Sequence, residues 1–181
     1  MTSPPRPTSA APPAGAGTTA AGTGTPTGTP SSTPSPAPSG TGQVPALQTA
    51  LAAEHAVIWG YGIVGARAGD PLQAAVRDAD DAHRTRRDQT VTLITTYGGD
   101  PVPTESSYAL PFPVTDRRSA LRLAVHLEEG AAAAWRYTVA ATDDVDVRRT
   151  ALLALADAAV RATRWRVALP IAPATVPFPG D

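Results

Sequence analysis

The stretch from Leu47 to Arg67 constrains the fold more than any other part of the chain. Its large or apolar residues recur in steps of three, four or seven, which places them on one stripe of a helix. That stripe consists of Leu47, Leu51, Ile58, Tyr61 and Gly65. Position 54 lies on the same stripe and is glutamate. Because a carboxylate in a buried seam is costly unless a cation, a metal or a hydrogen-bond donor meets it, function depends on the partner of Glu54.

Residues 1–45 differ in composition from everything that follows. They are almost entirely Pro, Thr, Ser, Ala and Gly, and Arg6 is their only charge. Such a segment cannot bury enough apolar surface to offset its ordering entropy, so we predict a disordered tail over 1–45 and one folded domain over 46–181. No signal peptide is visible as the sequence is written, which predicts a cytoplasmic protein. If the true start lies upstream, the tail would instead tether an extracytoplasmic domain.

Composition also limits the classes of partner and site. No run of 18 or more apolar residues occurs, so we expect no transmembrane segment. The 15 basic and 16 acidic residues nearly balance, which gives no basic surface for nucleic acid. The absence of cysteine excludes disulfides and thiolate metal sites. The partner is otherwise unknown, and a homo-oligomer formed through the faces of a helix bundle stays open.

Gly, Pro and Asp residues mark the boundaries of four predicted helices in the rest of the chain. The second helix ends at Gly98-Gly99-Asp100-Pro101, the third is capped by Thr115 or Asp116, and the fourth follows Asp143-Asp144. The predicted second seam is unusually polar at its middle: Leu72, Val76, Asp80, His83, Arg87, Thr90 and Ile94. The third seam contains Leu121, Val125, Glu128, Ala132, Trp135 and Val139. The four helices span about 44–68, 71–97, 116–141 and 145–168.

The connection between the second and third helices sets the topology. Residues 98–114 are too many for a tight turn, and when extended they reach roughly 55 Å, while helix two is roughly 40 Å long. We therefore predict parallel second and third helices joined by a crossover, in an all-α, ferritin-like four-helix bundle. Pro-Phe-Pro occurs in the crossover and again near the C-terminus. We predict that both segments are straps along the bundle, pinned by Phe112 and Phe178.

The seam charges follow part of a known metal pattern. Ferritin-like di-iron proteins place one Glu on each of two helices and Glu-x-x-His on each of the other two. Here helix one supplies Glu54, helix three supplies Glu128 or its neighbour Glu129, and helix two offers Asp80 followed three residues later by His83. Helix four departs from the pattern, because the residue three positions after Asp157 is Val160 rather than histidine.

Several runs of sequence resemble an uncharacterised ferritin-like family, a domain of unknown function. The runs are AAEHAVIWGYGIVGAR, AHRTRRD, YALPFPV, LEEGAAAAWR and VPFPG, and the resemblance covers residues 46–180. It implies a ferritin-like bundle. It implies no established reaction, and therefore no catalytic residue.

Three interpretations of the seam charges stay open. In the favoured one, Glu54, His83, Arg87, Glu128 and Arg161 form a buried ion-pair cluster, because arginine binds carboxylates bidentately and keeps its proton. In the second, Glu54, His83 and Glu128, with Asp80 as a weaker candidate, hold a metal ion. In the third, these groups are partly exposed and inert.

These interpretations lead to two functional hypotheses. The favoured one is a metal-free structural or binding module without a cofactor, in which ion pairs have replaced a di-iron site. The alternative is an iron- or manganese-binding oxidase or peroxidase of ferritin-like type. The missing helix-four histidine opposes an enzyme. Trp59, Trp135 and Trp165 lie at similar depths on three helices, and we predict that they pack in the core.

Overall fold

A computed structural model describes residues 42–181, and these residues form an all-α bundle, as predicted. Its helices are α1 (Gln43–Arg67), α2 (Gln73–Thr96), α3 (Arg117–Ala141) and α4 (Val145–Ala168), with a 3₁₀ turn at Asp70–Leu72. The predicted disorder of the tail lies outside the described residues, except that 43–45 form the first turn of α1. None of the described helices is both long and apolar enough to cross a membrane.

Side-chain caps fix where α3 and α4 begin. The Asp116 carboxylate accepts the Ser119 backbone N–H at 2.7 Å, and the Ser119 hydroxyl accepts the Asp116 N–H at 3.0 Å. Asp144 caps α4 by accepting the Val147 N–H at 2.9 Å. Each cap satisfies backbone donors that a helix start leaves without partners, so both helices begin where the sequence predicts.

The direction of α2 follows from its contacts with α1. At the start of α1, Gln48 donates its side-chain amide to the Asp100 carbonyl, just beyond the end of α2, at 2.6 Å. At the far end of α1, the Gly65 carbonyl accepts from the Gln73 side chain at 2.7 Å. Since the start of each helix lies beside the end of the other, α1 and α2 are antiparallel.

The same test shows that α3 is also antiparallel to α1. The Thr138 hydroxyl, near the end of α3, donates to the Ala46 carbonyl at the start of α1 at 3.2 Å. Arg67, at the end of α1, donates to the Thr115 carbonyl just before α3 at 3.3 Å. Two helices that are antiparallel to the same helix are parallel to each other, so the predicted parallel α2 and α3 are confirmed.

The crossover, residues 97–116, runs along the outside of α1 for the length of the bundle. His55 is within hydrogen-bond distance of the Val102 carbonyl, at 3.2 Å. Further along, the Trp59 ring packs against Tyr108 with 5.8 Å between ring centroids. Trp59 is therefore half-buried under the crossover and does not lie in the bundle core.

The two predicted straps differ in how they are held. Phe112 is half-buried, with the Arg122 guanidinium 4.7 Å from its ring centroid. The prediction that Phe178 pins the C-terminal strap is wrong, since Phe178 is 70% exposed. The backbone of the strap contacts α3 instead, because the Gly180 carbonyl accepts a hydrogen bond from the Arg136 side chain at 3.2 Å. Gly180 lies so close to the backbone of α3 that a Cβ atom would be 2.8 Å from the Ala132 carbonyl oxygen.

The buried stripe of α1 agrees with the sequence pattern at Leu47, Leu51, Glu54 and Tyr61. It departs from that pattern at Ile58 and Gly65, which are half-buried. Val57 and Val64, one residue earlier, take the interior positions. The buried face of α1 is therefore centred slightly to one side of the stripe that the sequence predicts.

Candidate functional site

Glu54 lies at the centre of the bundle and is completely buried. One of its carboxylate oxygens, Oε1, accepts the indole N–H of Trp135 on α3 at 2.7 Å. The other, Oε2, lies 2.7 Å from Nδ1 of His83 on α2. Both oxygens of this carboxylate therefore have a short contact with a donor from a neighbouring helix.

Glu128 on α3 is equally buried but is bound less evenly. Its Oε1 accepts the Tyr61 hydroxyl at 2.5 Å and lies 3.3 Å from His83 Nε2. Among residues 42–181, nothing forms a hydrogen bond with its Oε2. The Arg161 guanidinium of α4 faces that oxygen, with its NH1 atom 3.9 Å away, and within the described part of the chain this nitrogen also lacks a hydrogen-bond partner.

Tyr61 and Trp165 extend these contacts to the fourth helix. The Trp165 indole N–H donates to the Tyr61 hydroxyl at 2.8 Å, and that hydroxyl donates onward to Glu128. The Tyr61 ring also stacks on the His83 imidazole, with centroids 5.6 Å apart. The resulting connected set is called the central cluster below. Its members are Glu54, Tyr61, His83, Glu128, Trp135, Arg161 and Trp165.

His83 lies between the two carboxylates of the central cluster, and these carboxylates favour its protonated form. Burial alone lowers the pKa of its imidazole, but hydrogen bonds to Glu128 and Glu54 and the charges of these carboxylates outweigh burial and raise that pKa to about 9. At neutral pH the ring is therefore an imidazolium and donates from both nitrogens. Burial, followed by the charge of Glu128, raises the pKa of Tyr61 well above its usual value, so Tyr61 stays a phenol and a donor.

Two of the predicted members on α2 lie outside the central cluster. Arg87 pairs with its neighbour Asp88 at 2.8 Å, and Asp80 pairs with Arg84 at 2.9 Å. The seam of α2 explains this correction, because it passes through the buried Ala79 instead of Asp80. Arg87 lies outside the seam for the same reason, since Arg86, one position earlier, is the residue that pairs with Asp157 of α4.

The two α4 positions that would correspond to an acidic-x-x-His motif, Asp157 and Val160, do not face the interior either. Asp157 is exposed and pairs with Arg86 across the α2–α4 boundary at 2.7 Å, and it does not pair with Arg161. Val160 is also exposed. The residues of α4 that face inward at this level are Ala158, Arg161, Ala162 and Trp165. Only Arg161 and Trp165 among them bring polar atoms to the central cluster.

Sequence reasoning missed three donors of the central cluster. The sequence pattern places Tyr61 on the apolar stripe of α1 and predicts Trp135 and Trp165 in the core, but it predicts no hydrogen bond for any of them. A signal existed, since Tyr61 is seven residues after Glu54 and Trp135 is seven after Glu128. Buried tyrosine and tryptophan normally find a hydrogen-bond partner. The spacing alone would suggest the glutamate two turns earlier, but Tyr61 donates to Glu128 and Trp135 donates to Glu54, so each bonds the glutamate of the facing helix.

The donor set of the central cluster differs from that of a metal centre. Among residues 42–181, no three His, Asp or Glu side chains are disposed to hold a metal ion together. His83 directs its two nitrogens to two different carboxylates, and α4 contributes a guanidinium and an indole N–H. Neither of those groups donates an electron pair to a metal.

Comparisons with known proteins agree with this geometry on fold and say nothing of a reaction. The model of a family described as a domain of unknown function, DUF4439, matches residues 46–181. The crystal structure of a conserved hypothetical protein, rv2844, from Mycobacterium tuberculosis is similar, with a TM-score of 0.70 and 40% sequence identity. That similarity covers 72% of this chain and 98% of the other. Among curated proteins, none matches the sequence.

Proposed function

The chain belongs to the DUF4439 family, and from that premise we propose that its bundle is a metal-free structural or binding module of ferritin-like type. Antiparallel helix pairs joined by a long crossover between α2 and α3 are the arrangement of ferritin-like bundles. In such bundles carboxylates and histidines project inward to bind iron. Here the inward carboxylates bind protein cations and hydrogen-bond donors instead.

Charge balance in the central cluster carries the proposal. Glu54 and Glu128 supply two negative charges, and His83 and Arg161 supply two positive charges. Three of the four carboxylate oxygens accept hydrogen bonds from the chain itself. A di-iron centre would require the imidazolium to lose its proton and the indole and phenol donors to move away. The residues present therefore do not fit a di-iron centre.

Metal content and metal-dependent stability test this proposal together. The protein should be purified without chelator and its iron and manganese measured by mass spectrometry. We expect far less than one metal ion per chain, and no change in thermal midpoint on adding Fe(II), Mn(II) or chelator. Glu54→Gln with Glu128→Gln is the informative variant, and Glu105→Gln, at an exposed position in the crossover, is the matched control.

Stoichiometric iron or manganese that disappears in the double variant and persists in the control would overturn the proposal. It would support the second candidate, an iron- or manganese-binding oxidase or peroxidase. One observation favours that candidate: Glu128 Oε2 is buried, and no group in the described part of the chain forms a hydrogen bond with it. Metal binding would require Glu54, His83 and Glu128 to rearrange, since within residues 42–181 they are not disposed to hold one ion together.

The N-terminal composition adds a further proposal about how the module is presented. Residues 1–41 are rich in Pro, Thr, Ser, Ala and Gly, a composition typical of flexible tethers. Mild proteolysis should remove this segment without changing the thermal midpoint of the remainder. A decrease of several degrees after trimming would show that the segment docks on the bundle.

A further inference from the structure

The outward face of α4 carries half of the large apolar side chains that residues 42–181 expose. No residue of α1 or α2 belongs to that set. Surface apolar residues usually occur singly, whereas a continuous stripe marks an interaction surface. The exposed side chains of α4, each between 49% and 69% exposed, are Val145, Leu152, Leu153, Val160 and Val167.

Four of these side chains are arranged symmetrically about Ala156, which is itself exposed. Leu152 and Val160 lie four residues before and after it, and Val145 and Val167 lie eleven residues before and after it. At 3.6 residues per turn, all four project within about 40° of the direction of Ala156. A stripe with the same pattern in both directions matches itself when a second helix lies antiparallel, which is the requirement of a twofold interface.

The charges beside this stripe fit the same pairing. Asp146 and Arg164 lie on the flank of the stripe nearer α2, ten residues before and eight residues after Ala156. Neither side chain forms an ion pair within the described residues. In an antiparallel pair like flanks face each other, so Asp146 of one copy lies beside Arg164 of the second copy. On the other flank, Glu129 already neutralises Arg166 within the chain.

We propose that two copies of this chain associate through antiparallel α4 helices, with the twofold axis at Ala156. Val145 then packs against Val167 of the second copy, and Leu152 against Val160 of the second copy. The exposed Val176 and Phe178 of the C-terminal strap line one groove with Val160, and they enlarge the apolar surface. The interface is on the face of α4 opposite the buried Ala158, so it does not depend on the central cluster.

Single cysteines test the register, because the chain has no cysteine of its own. With packed helix axes about 10 Å apart and Cα atoms about 2.3 Å from each axis, the two Ala156 Cα atoms are about 5 Å apart. That separation is within the range that a disulfide spans. Under mild oxidation, Ala156→Cys should form a covalent dimer of the full chain. Ala66→Cys, at an exposed position on α1, is the matched control and should form no covalent dimer.

Two further cysteine variants determine the direction of pairing. Val145→Cys and Val167→Cys should each remain uncrosslinked alone and should form a covalent dimer when mixed. Efficient crosslinking of Val145→Cys with itself would indicate parallel helices and overturn the proposal. If Ala66→Cys crosslinks as readily as Ala156→Cys, random collision between chains explains both crosslinks. That outcome would also overturn the proposal.

A charge exchange tests the flanking ion pairs without oxidation. Asp146→Arg places arginine beside arginine, and Arg164→Asp places aspartate beside aspartate, so each should raise the dimer dissociation constant about tenfold. The combined variant restores opposite charges and should recover the original constant, which a folding defect would not do. Sedimentation of the full chain measures all three. A wild-type chain that is monomeric at every concentration overturns the proposal and leaves the face to a different partner.

Discussion

Glu54 and Glu128 are both completely buried on facing helices, yet their carboxylates are stabilised to different extents. Glu54 has two contacts of 2.7 Å, one to each oxygen. Glu128 has a close contact to Tyr61, a longer one to His83, and one oxygen that accepts no hydrogen bond from residues 42–181. The Glu54 side is therefore the fixed half of the central cluster. The Glu128 side, which faces Arg161, is the half with a carboxylate oxygen still free to gain a contact.

Removing the cation that both halves share should have the largest effect. His83→Ala leaves two buried carboxylates with Arg161 as the nearest cation, so we expect the free energy of unfolding to fall by about 3–5 kcal/mol. Urea unfolding monitored by circular dichroism measures it. Arg84→Ala is the control on the same helix, since it breaks only the exposed pair with Asp80 and should cost about 1 kcal/mol or less. Equal losses in the two variants would contradict the central role of His83.

The free energy of unfolding should depend on pH because of the charge on the same His83 ring. The folded pKa of His83, about 9, is above its unfolded value of 6.5, so its contribution is fully present below pH 6.5 and is lost as pH rises through about 9. The loss should be on the order of 3 kcal/mol. Unfolding free energies measured across this range should fall in the wild type and stay flatter in His83→Gln. A wild-type profile as flat as that of the variant would show that the ring is neutral in the fold.

The two tryptophans compare the halves directly, because each donates one hydrogen bond. Trp135→Phe leaves Glu54 Oε1 buried without a donor and should cost about 1–3 kcal/mol beyond the lost packing. Trp165→Phe removes a donor from the neutral Tyr61 hydroxyl and should cost about 0.5–1.5 kcal/mol beyond it. Both changes remove similar volume. The difference between their thermal midpoints therefore reports the extra cost of leaving a charged carboxylate oxygen, rather than a neutral hydroxyl, without a donor. A greater loss in Trp165→Phe would reverse the assignment of the fixed half.

Arg161 should have the smallest effect in the central cluster. Its NH1 atom is 3.9 Å from Glu128, and the side chain is 16% exposed, so water can replace part of its interaction. We expect Arg161→Gln to cost about 1 kcal/mol in the same unfolding assay. A loss as large as that of His83→Ala would show that Glu128 depends on Arg161 as much as on the imidazolium.

The sequence alone determined the helices and their order. Apolar periodicity, Asp116 and Asp144 at helix starts, and glycine and proline between helices are local signals that act within a few residues. The length of the crossover was enough to determine that α2 and α3 are parallel, because a chain of that length spans a bundle. Glu54, His83 and Glu128 could also be identified, since polar residues on an apolar stripe must meet one another.

Which donors and cations pair with these residues depends on how the four helices pack against one another. Whether Arg86 or Arg87 follows the α2 seam, and whether Asp157 pairs with Arg161 or with Arg86, depends on rotations of less than one residue step between neighbouring helices. Sequence spacing does not determine such rotations, because they result from packing over the whole bundle. The same packing determines that Tyr61, Trp135 and Trp165 are the donors in the central cluster. A buried carboxylate requires some donor, but which donor reaches it depends on three-dimensional distance rather than on sequence position.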